Sequence, residues 1–194
     1  MEGSVEDDEP KPAASRWQVK KREVLVKNRW HEYRHDTGKT DFGKGYDYYY
    51  VYKRHGSVCV VPITTDGNIV MVRQYRYLAN ADSLELPGGG CEDATPALEM
   101  AKLELLQETG FHTENWQNIG NVAVAVGHCT DTMSVYLATA CESSQQQQLE
   151  ETEYGMKVEL YPIAEAYRLI DEGGITDSLT IAALALARRH LLKA

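Results

Sequence analysis

The amino-acid sequence predicts an α+β fold, a mixed sheet packed between helices and preceded by an N-terminal antiparallel strand region. Three observations lead there. Short runs of β-branched and aromatic residues recur along the chain, most of them separated by tight turns. Few stretches have both the length and the end signals of helices. Strands and helices do not alternate one for one, which disfavours a doubly wound parallel sheet. With 194 residues, 43% apolar and 25% charged, the chain has the material for one ordinary domain plus tails.

Residues 1–16 hold Glu2, Glu6, Asp7, Asp8, Glu9, Pro10 and Pro12 and almost no large apolar side chain, the composition of a disordered acidic tail. Residues 17–55 read as an N-terminal strand region and 56–194 as the main domain. In the first, the 24–26 and 30–34 runs are strand candidates, and Asp36-Thr37-Gly38-Lys39 carries a turn signal. Tyr46, Tyr48, Tyr50 and Tyr52 recur with period two, so a strand places them on one face. That face suits packing on the core or on a partner chain, or a stacking platform for a nucleobase.

In the main domain, residues 57–63 and 68–73 form a hairpin through Thr65-Asp66-Gly67-Asn68. A short strand at 83–86 leads into Pro87-Gly88-Gly89-Gly90. A helix follows, with Thr95 as its cap and Pro96 in its first position. It runs to Thr109 and stops at Gly110. Strands at 116–126 and 134–140 flank the loop 127–132. The polar stretch 143–153, with glutamines at 145–148, reads as a mobile loop. A strand at 157–161, a helix at 162–172 ended by Gly173-Gly174, and a helix at 177–192 complete the chain. The last helix presents Ala182, Ala183, Leu186 and Ala187 on an apolar face.

The formal charge of −9 argues against nucleic acid as a partner, because phosphate backbones are held by clustered Lys and Arg. Residues 1–16 hold five acids and two bases, which leaves −6 for the rest. A small phosphorylated ligand remains compatible, since a bound metal reverses the local sign. No apolar run reaches the roughly 18 residues of a membrane span, and residues 1–16 lack an apolar signal core. Cys59, Cys91, Cys129 and Cys141 lie far apart with no metal-ligand spacing. They read as reduced thiols of a cytoplasmic protein.

The chemistry concentrates at 88–111. Glu104 and Glu108 stand four apart, on one helical face, directly after a glycine turn. Such a pair is either a solvated face or a seat for a hard divalent cation, which removes the like-charge cost. The turn's free carbonyls can also be ligands.

Residues 89–111 resemble the Nudix box of Nudix hydrolases. The positions 15, 16, 19, 21 and 22 residues after Gly89 are Glu104, Leu105, Glu108, Gly110 and Phe111, which fit the pattern apart from the aromatic Phe111. Three positions depart: Thr95 and Gln107 stand where the pattern has glutamate, and Leu103 where it has arginine. Val72-Arg73-Gln74-Tyr75-Arg76, Leu84-Glu85-Leu86-Pro87-Gly88-Gly89 and the 163–187 segment are similar to the ADP-ribose pyrophosphatase subfamily, so the resemblance spans about residues 17–192.

The resemblance implies an α/β/α sandwich and Mg²⁺-dependent hydrolysis of a nucleoside diphosphate sugar, with Mn²⁺ as a possible substitute. An ADP-ribose-like substrate would give AMP and a sugar phosphate. It implies Glu104, Glu108 and the Gly88 carbonyl as metal ligands, Arg76 and Glu85 as substrate-binding residues, and Glu108 and Asp131 as catalytic residues, with Asp131 the base. It implies a homodimer paired through the N-terminal strands. Glu92 or Asp93 could replace the missing box glutamate, and Glu150, Glu151 and Glu153 could form an acidic loop over the site. The box departures keep a second class open, a catalytically weak nucleotide-binding or regulatory module.

Overall fold

The computed structural model describes residues 16–91, 95–144, 146–149 and 151–192. The expected tail up to residue 15, and Glu92, Asp93 and Glu150, lie outside the described residues. The chain divides between Tyr52 and Lys53 into two compact units.

The first unit is an antiparallel sheet of β1 (Gln18–Lys27), β2 (Glu32–Lys39) and β3 (Gly45–Tyr52), in that order. Glu32, Arg34 and Asp36 pair with Tyr52, Tyr50 and Tyr48, so the charged and tyrosine positions share a face. Arg34 lies 3.4 Å over the Tyr52 ring and donates to Glu32 at 2.8 Å, and Arg22 forks onto Asp36. The turn expected at 36–39 is instead the end of β2, and the chain reverses at 40–44 with Gly43 at φ 75°. Gly38 serves close packing, not a turn: a β-carbon there would stand 2.0 Å from the Gln18 carbonyl oxygen.

The second unit holds a mixed sheet of eight strands. Its spine is β11 (Lys157–Pro162), β5 (Asn68–Arg76), β4 (Ser57–Thr64), β10 (Thr132–Ser143) and β8 (Phe111–His112). β6 (Ala81–Glu85) pairs with β5, β7 (Gly88–Gly90) with β4, and β9 (Asn115–Ala123) with β10. Among the described strands only β4 and β10 run parallel. β4 is buried on both faces, which explains its unbroken apolar run.

Alternation along β4 divides the core. Val58 and Val60 face Met100, Ala101 and Leu105 of α1 (Ala97–Thr109). Cys59, Val61 and Ile63 face the opposite layer, with Ala166 of α2 (Ile163–Asp171) and Ala183, Leu184 and Ala187 of α3 (Ser178–Leu191). Of the apolar face expected on α3, Ala183 and Ala187 are buried, together with Leu184, while Ala182 is partly exposed. The result is the α/β/α sandwich with a mixed sheet.

The caps explain where the helices sit. Asp177 caps α3 by accepting from Thr180 N at 2.7 Å. Pro96, not Thr95, occupies the N-cap of α1, and no side chain caps it. Gly110 closes α1 at φ 72°, a left-handed conformation that suits glycine, with its N–H on the Leu106 carbonyl. Ser144 and Gln148 are tied to that helix end: Ser144 N donates to Gly110 O at 3.0 Å and Gln148 N to Gln107 O at 2.7 Å.

Candidate functional site

The site is built where β7 meets α1. β7 is a run of three glycines; at Gly88 the neighbouring backbone leaves no room for a side chain, and at Gly89 the Glu104 carboxylate fills that room. A β-carbon on Gly88 would stand 2.2 Å from the Val58 carbonyl oxygen. One on Gly89 would stand 2.2 Å from Glu104 Oε1. The Glu104 carboxylate therefore rests in a cradle that glycine leaves open.

Glu108, one turn further along α1, reaches the same strand, and its Oε2 accepts from Gly88 N at 2.9 Å. Gly88 stands opposite Cys59, and the flanking bonds run from Val60 N to Pro87 O and from Cys91 N to Gly56 O. That makes Gly88 a non-hydrogen-bonded position of the ladder. Its N–H and its carbonyl both point away from β4, on the side where Glu108 lies.

Glu108 is only 3% exposed. Burial pushes its carboxyl up to about 9, and the Glu104 charge adds to the rise. The Gly88 N–H works the other way, and Glu153, in the 3₁₀ turn Glu151–Glu153, adds a further negative charge. A buried carboxylate facing two other acids is costly until a cation joins them. The donors are all oxygens, which suits a hard divalent ion. Among the described residues no group of three or more acid, imidazole or thiol side chains is preassembled for a metal. Glu104, Glu108 and the Gly88 carbonyl thus fit a partial shell of the kind that substrate oxygens and water complete.

Arg76 ends β5 and Glu85 ends β6; in that antiparallel pair Arg76 stands opposite Ala81 and Glu85 opposite Val72, so the two meet through their side chains along the sheet. Arg76 Nε donates to Glu85 Oε1 at 2.9 Å and NH2 to Oε2 at 2.5 Å. Gln74 Nε2 lies 3.4 Å from the same Oε2. Glu85 is buried and engaged, while Arg76 is half-exposed, and among the described residues no partner meets its Nη1. Glu85 raises the already high guanidinium value further, and Asp177 and Glu108 also act on it. Arg76, Glu85 and Glu108 are thereby brought to one place.

Asp131 sits differently. It accepts from Lys53 Nζ and from Ser57 Oγ, each at 3.2 Å, so cation and hydroxyl already occupy it. Two residues at the site were not singled out from the sequence. Gln147 Nε2 donates to the Glu108 carbonyl at 2.6 Å and fastens the polar loop beside the helix end. Lys53 precedes β4, 78 residues before Asp131, and no local pattern joins them.

A glycine run leads here into a helix whose Glu104 and Glu108 both reach back to it, on a mixed sheet between helical layers. The NUDIX domain family model matches residues 53–183, and the chain belongs to that family. It is 35% identical over 134 residues to the "ADP-ribose pyrophosphatase" of Mycobacterium tuberculosis (strain ATCC 25618 / H37Rv), covering 68% of this chain and 64% of that protein. The chain thus spans a little under two thirds of that relative. It is 32% identical to the "Methanol dehydrogenase activator" of Bacillus methanolicus, over 68% of this chain and 71% of that protein. It is 26% identical to the "ADP-ribose pyrophosphatase" of Bacillus subtilis (strain 168), over 69% of this chain and 72% of that protein. The fold matches a crystal structure of an "ADP compounds hydrolase" with TM-score 0.81 at 17% identity, over 93% of this chain and 97% of the other.

Proposed function

We propose that this protein hydrolyses the diphosphate linkage of a nucleoside diphosphate sugar, with Mg²⁺ or Mn²⁺ held by Glu104, Glu108 and the Gly88 carbonyl. The observation that carries the reading is the carboxylate pair, Glu108 buried and Glu104 partly so, seated against the Gly88–Gly90 glycines. The printed names of the mycobacterial and Bacillus subtilis relatives support an ADP-ribose-like substrate giving AMP and a sugar phosphate.

A bound divalent ion supplies charge neutralisation at the phosphate oxygens and lowers the pKa of water. Glu108 and Glu104 hold that ion in place. Arg76 binds a phosphate oxygen through NH1 while Glu85 keeps its guanidinium aligned. Glu153 is our candidate to accept the water proton, since it acts electrostatically on Glu108. Asp131, anchored by Lys53 and Ser57, is poorly placed for that task. The water oxygen bonds to one phosphorus, the bridging P–O bond breaks, and the bridging oxygen leaves on the other monophosphate.

Val19, Val24, Leu25 and Val26 of β1 are exposed, which supports pairing of two copies through the first unit. Four cysteines without a disulfide, and no described helix long and apolar enough to cross a membrane, suit a cytoplasmic setting.

A second reading, a nucleotide-binding regulatory module, rests on Thr95, Leu103 and Gln107 and on the similarity to the activator protein. Incubation with Mg²⁺ and a panel of diphosphate sugars, with chromatography of the products, separates the two. Monophosphate release from ADP-ribose supports hydrolysis. Tight binding without release across the panel supports the module.

A further inference from the structure

Lys53 grips the 127–132 loop twice. Its backbone N donates to Thr130 Oγ1 at 2.9 Å, and that hydroxyl lies 3.3 Å from the Lys53 carbonyl. Its Nζ pairs with Asp131 Oδ2 at 3.2 Å, and Ser57 Oγ, at the start of β4, meets both Asp131 oxygens. The Asp131 carbonyl in turn accepts from Val124 N at 3.0 Å.

The same lysine lies on the glycine turn. A β-carbon on Gly90 would stand 3.5 Å from Nζ and 3.8 Å from Cε. Next along, Cys91 N donates to Gly56 O at 2.9 Å. Burial raises the Cys91 thiol, and Lys53, Asp131 and Glu104 all act on it, so the ion pair and the box carboxylate flank one residue. The pair is mostly shielded, with side chains 26% and 13% exposed, where an ion pair is screened less than on an open surface.

We propose that Lys53 is a positioning residue: paired with Asp131, it latches both the 127–132 loop and the 88–91 turn to the head of β4, and so fixes the spacing of Gly88 and Gly89 against Glu104 and Glu108. The inference deepens the metal-site reading and rests on it for its consequence, but the latch itself is read without metal or substrate.

The test is hydrogen exchange in the metal-free full chain, followed by Mn²⁺ titration. A charged hydrogen bond removed from one side frees its segment by about tenfold or more. Lys53→Met and Asp131→Asn should each raise amide exchange at 88–91 by that factor, although neither residue lies there. Lys53→Arg, which keeps the charge, should stay within about twofold of wild type. The half-saturating Mn²⁺ concentration should rise about tenfold in the first two variants, the range for groups that orient metal ligands. Unchanged exchange at 88–91, or a rise confined to 127–132, overturns the latch. So does a Lys53→Met variant that raises KM for the diphosphate substrate with exchange and Mn²⁺ binding intact, which would make Lys53 a phosphate ligand. If the variants show the exchange pattern but wild type hydrolyses nothing, the enzyme reading is removed and the latch stands.

Discussion

Glu104 lies against Gly89 so closely that a β-carbon on the glycine would stand 2.2 Å from Oε1 and 2.7 Å from Cδ. The missing side chain at Gly89 leaves the space that this carboxylate fills. Gly89→Ala should push the carboxylate out of its cradle and weaken Mn²⁺ binding by about 10–100-fold, the range for disturbed ligand orientation. Calorimetric titration reads that loss, and circular dichroism should show the helix content unchanged.

Glu108 ties stability to pH in the metal-free protein. Its carboxyl is raised from an ordinary 4.5 to about 9, so the folded chain holds a proton that the unfolded chain has released. The sign follows: this contribution is full below about 4.5 and is lost as pH rises through about 9. The midpoint of thermal unfolding should therefore fall between pH 5 and 9 on this account, less steeply in Glu108→Gln. Saturating Mg²⁺ should favour the ionised form and flatten the fall. A wild-type slope matching that of Glu108→Gln contradicts the assignment.

Arg76→Lys keeps a positive charge and loses the fork that Glu85 aligns. KM for the diphosphate substrate should rise about tenfold, the scale of one charged hydrogen bond. Glu85→Gln should move KM in the same direction by leaving the guanidinium unaligned. Steady-state kinetics of both variants checks this, and a Glu85→Gln that changes kcat alone would point away from alignment.

Leu105 is fully buried between α1 and β4. Leu105→Ala should cost about 2–5 kcal/mol, through lost burial and the cavity left behind. It should also weaken metal binding, because Glu104 and Glu108 ride on the same helix. Denaturant unfolding gives the first effect and Mn²⁺ titration the second.

Much of the site is legible in the sequence because its parts are local. Glu104 and Glu108 are one helical turn apart, and Gly88 and Gly89 precede them on the chain. Arg76 and Glu85 are separated by nine residues, a hairpin's width. What the sequence hides is tertiary. Gly38 reads as a turn residue, whereas the crowding that demands glycine comes from Gln18. Asp131 reads as a base because its pairing with Lys53 bridges 78 residues. Thr95 reads as a cap by residue type, yet Pro96 takes the N-cap with an extended backbone. The departures at Leu103 and Gln107 also gain meaning only in space: Leu103 is exposed, and the Gln107 carbonyl anchors Gln148.

The most direct measurement is AMP release from ADP-ribose across a Mg²⁺ titration, in wild type and in Glu108→Gln. Wild type should show saturable, Mg²⁺-dependent release, and Glu108→Gln should lose at least about tenfold in rate and in apparent Mg²⁺ affinity. Equal, Mg²⁺-independent release by both proteins would contradict the carboxylate pair as the seat of the reaction.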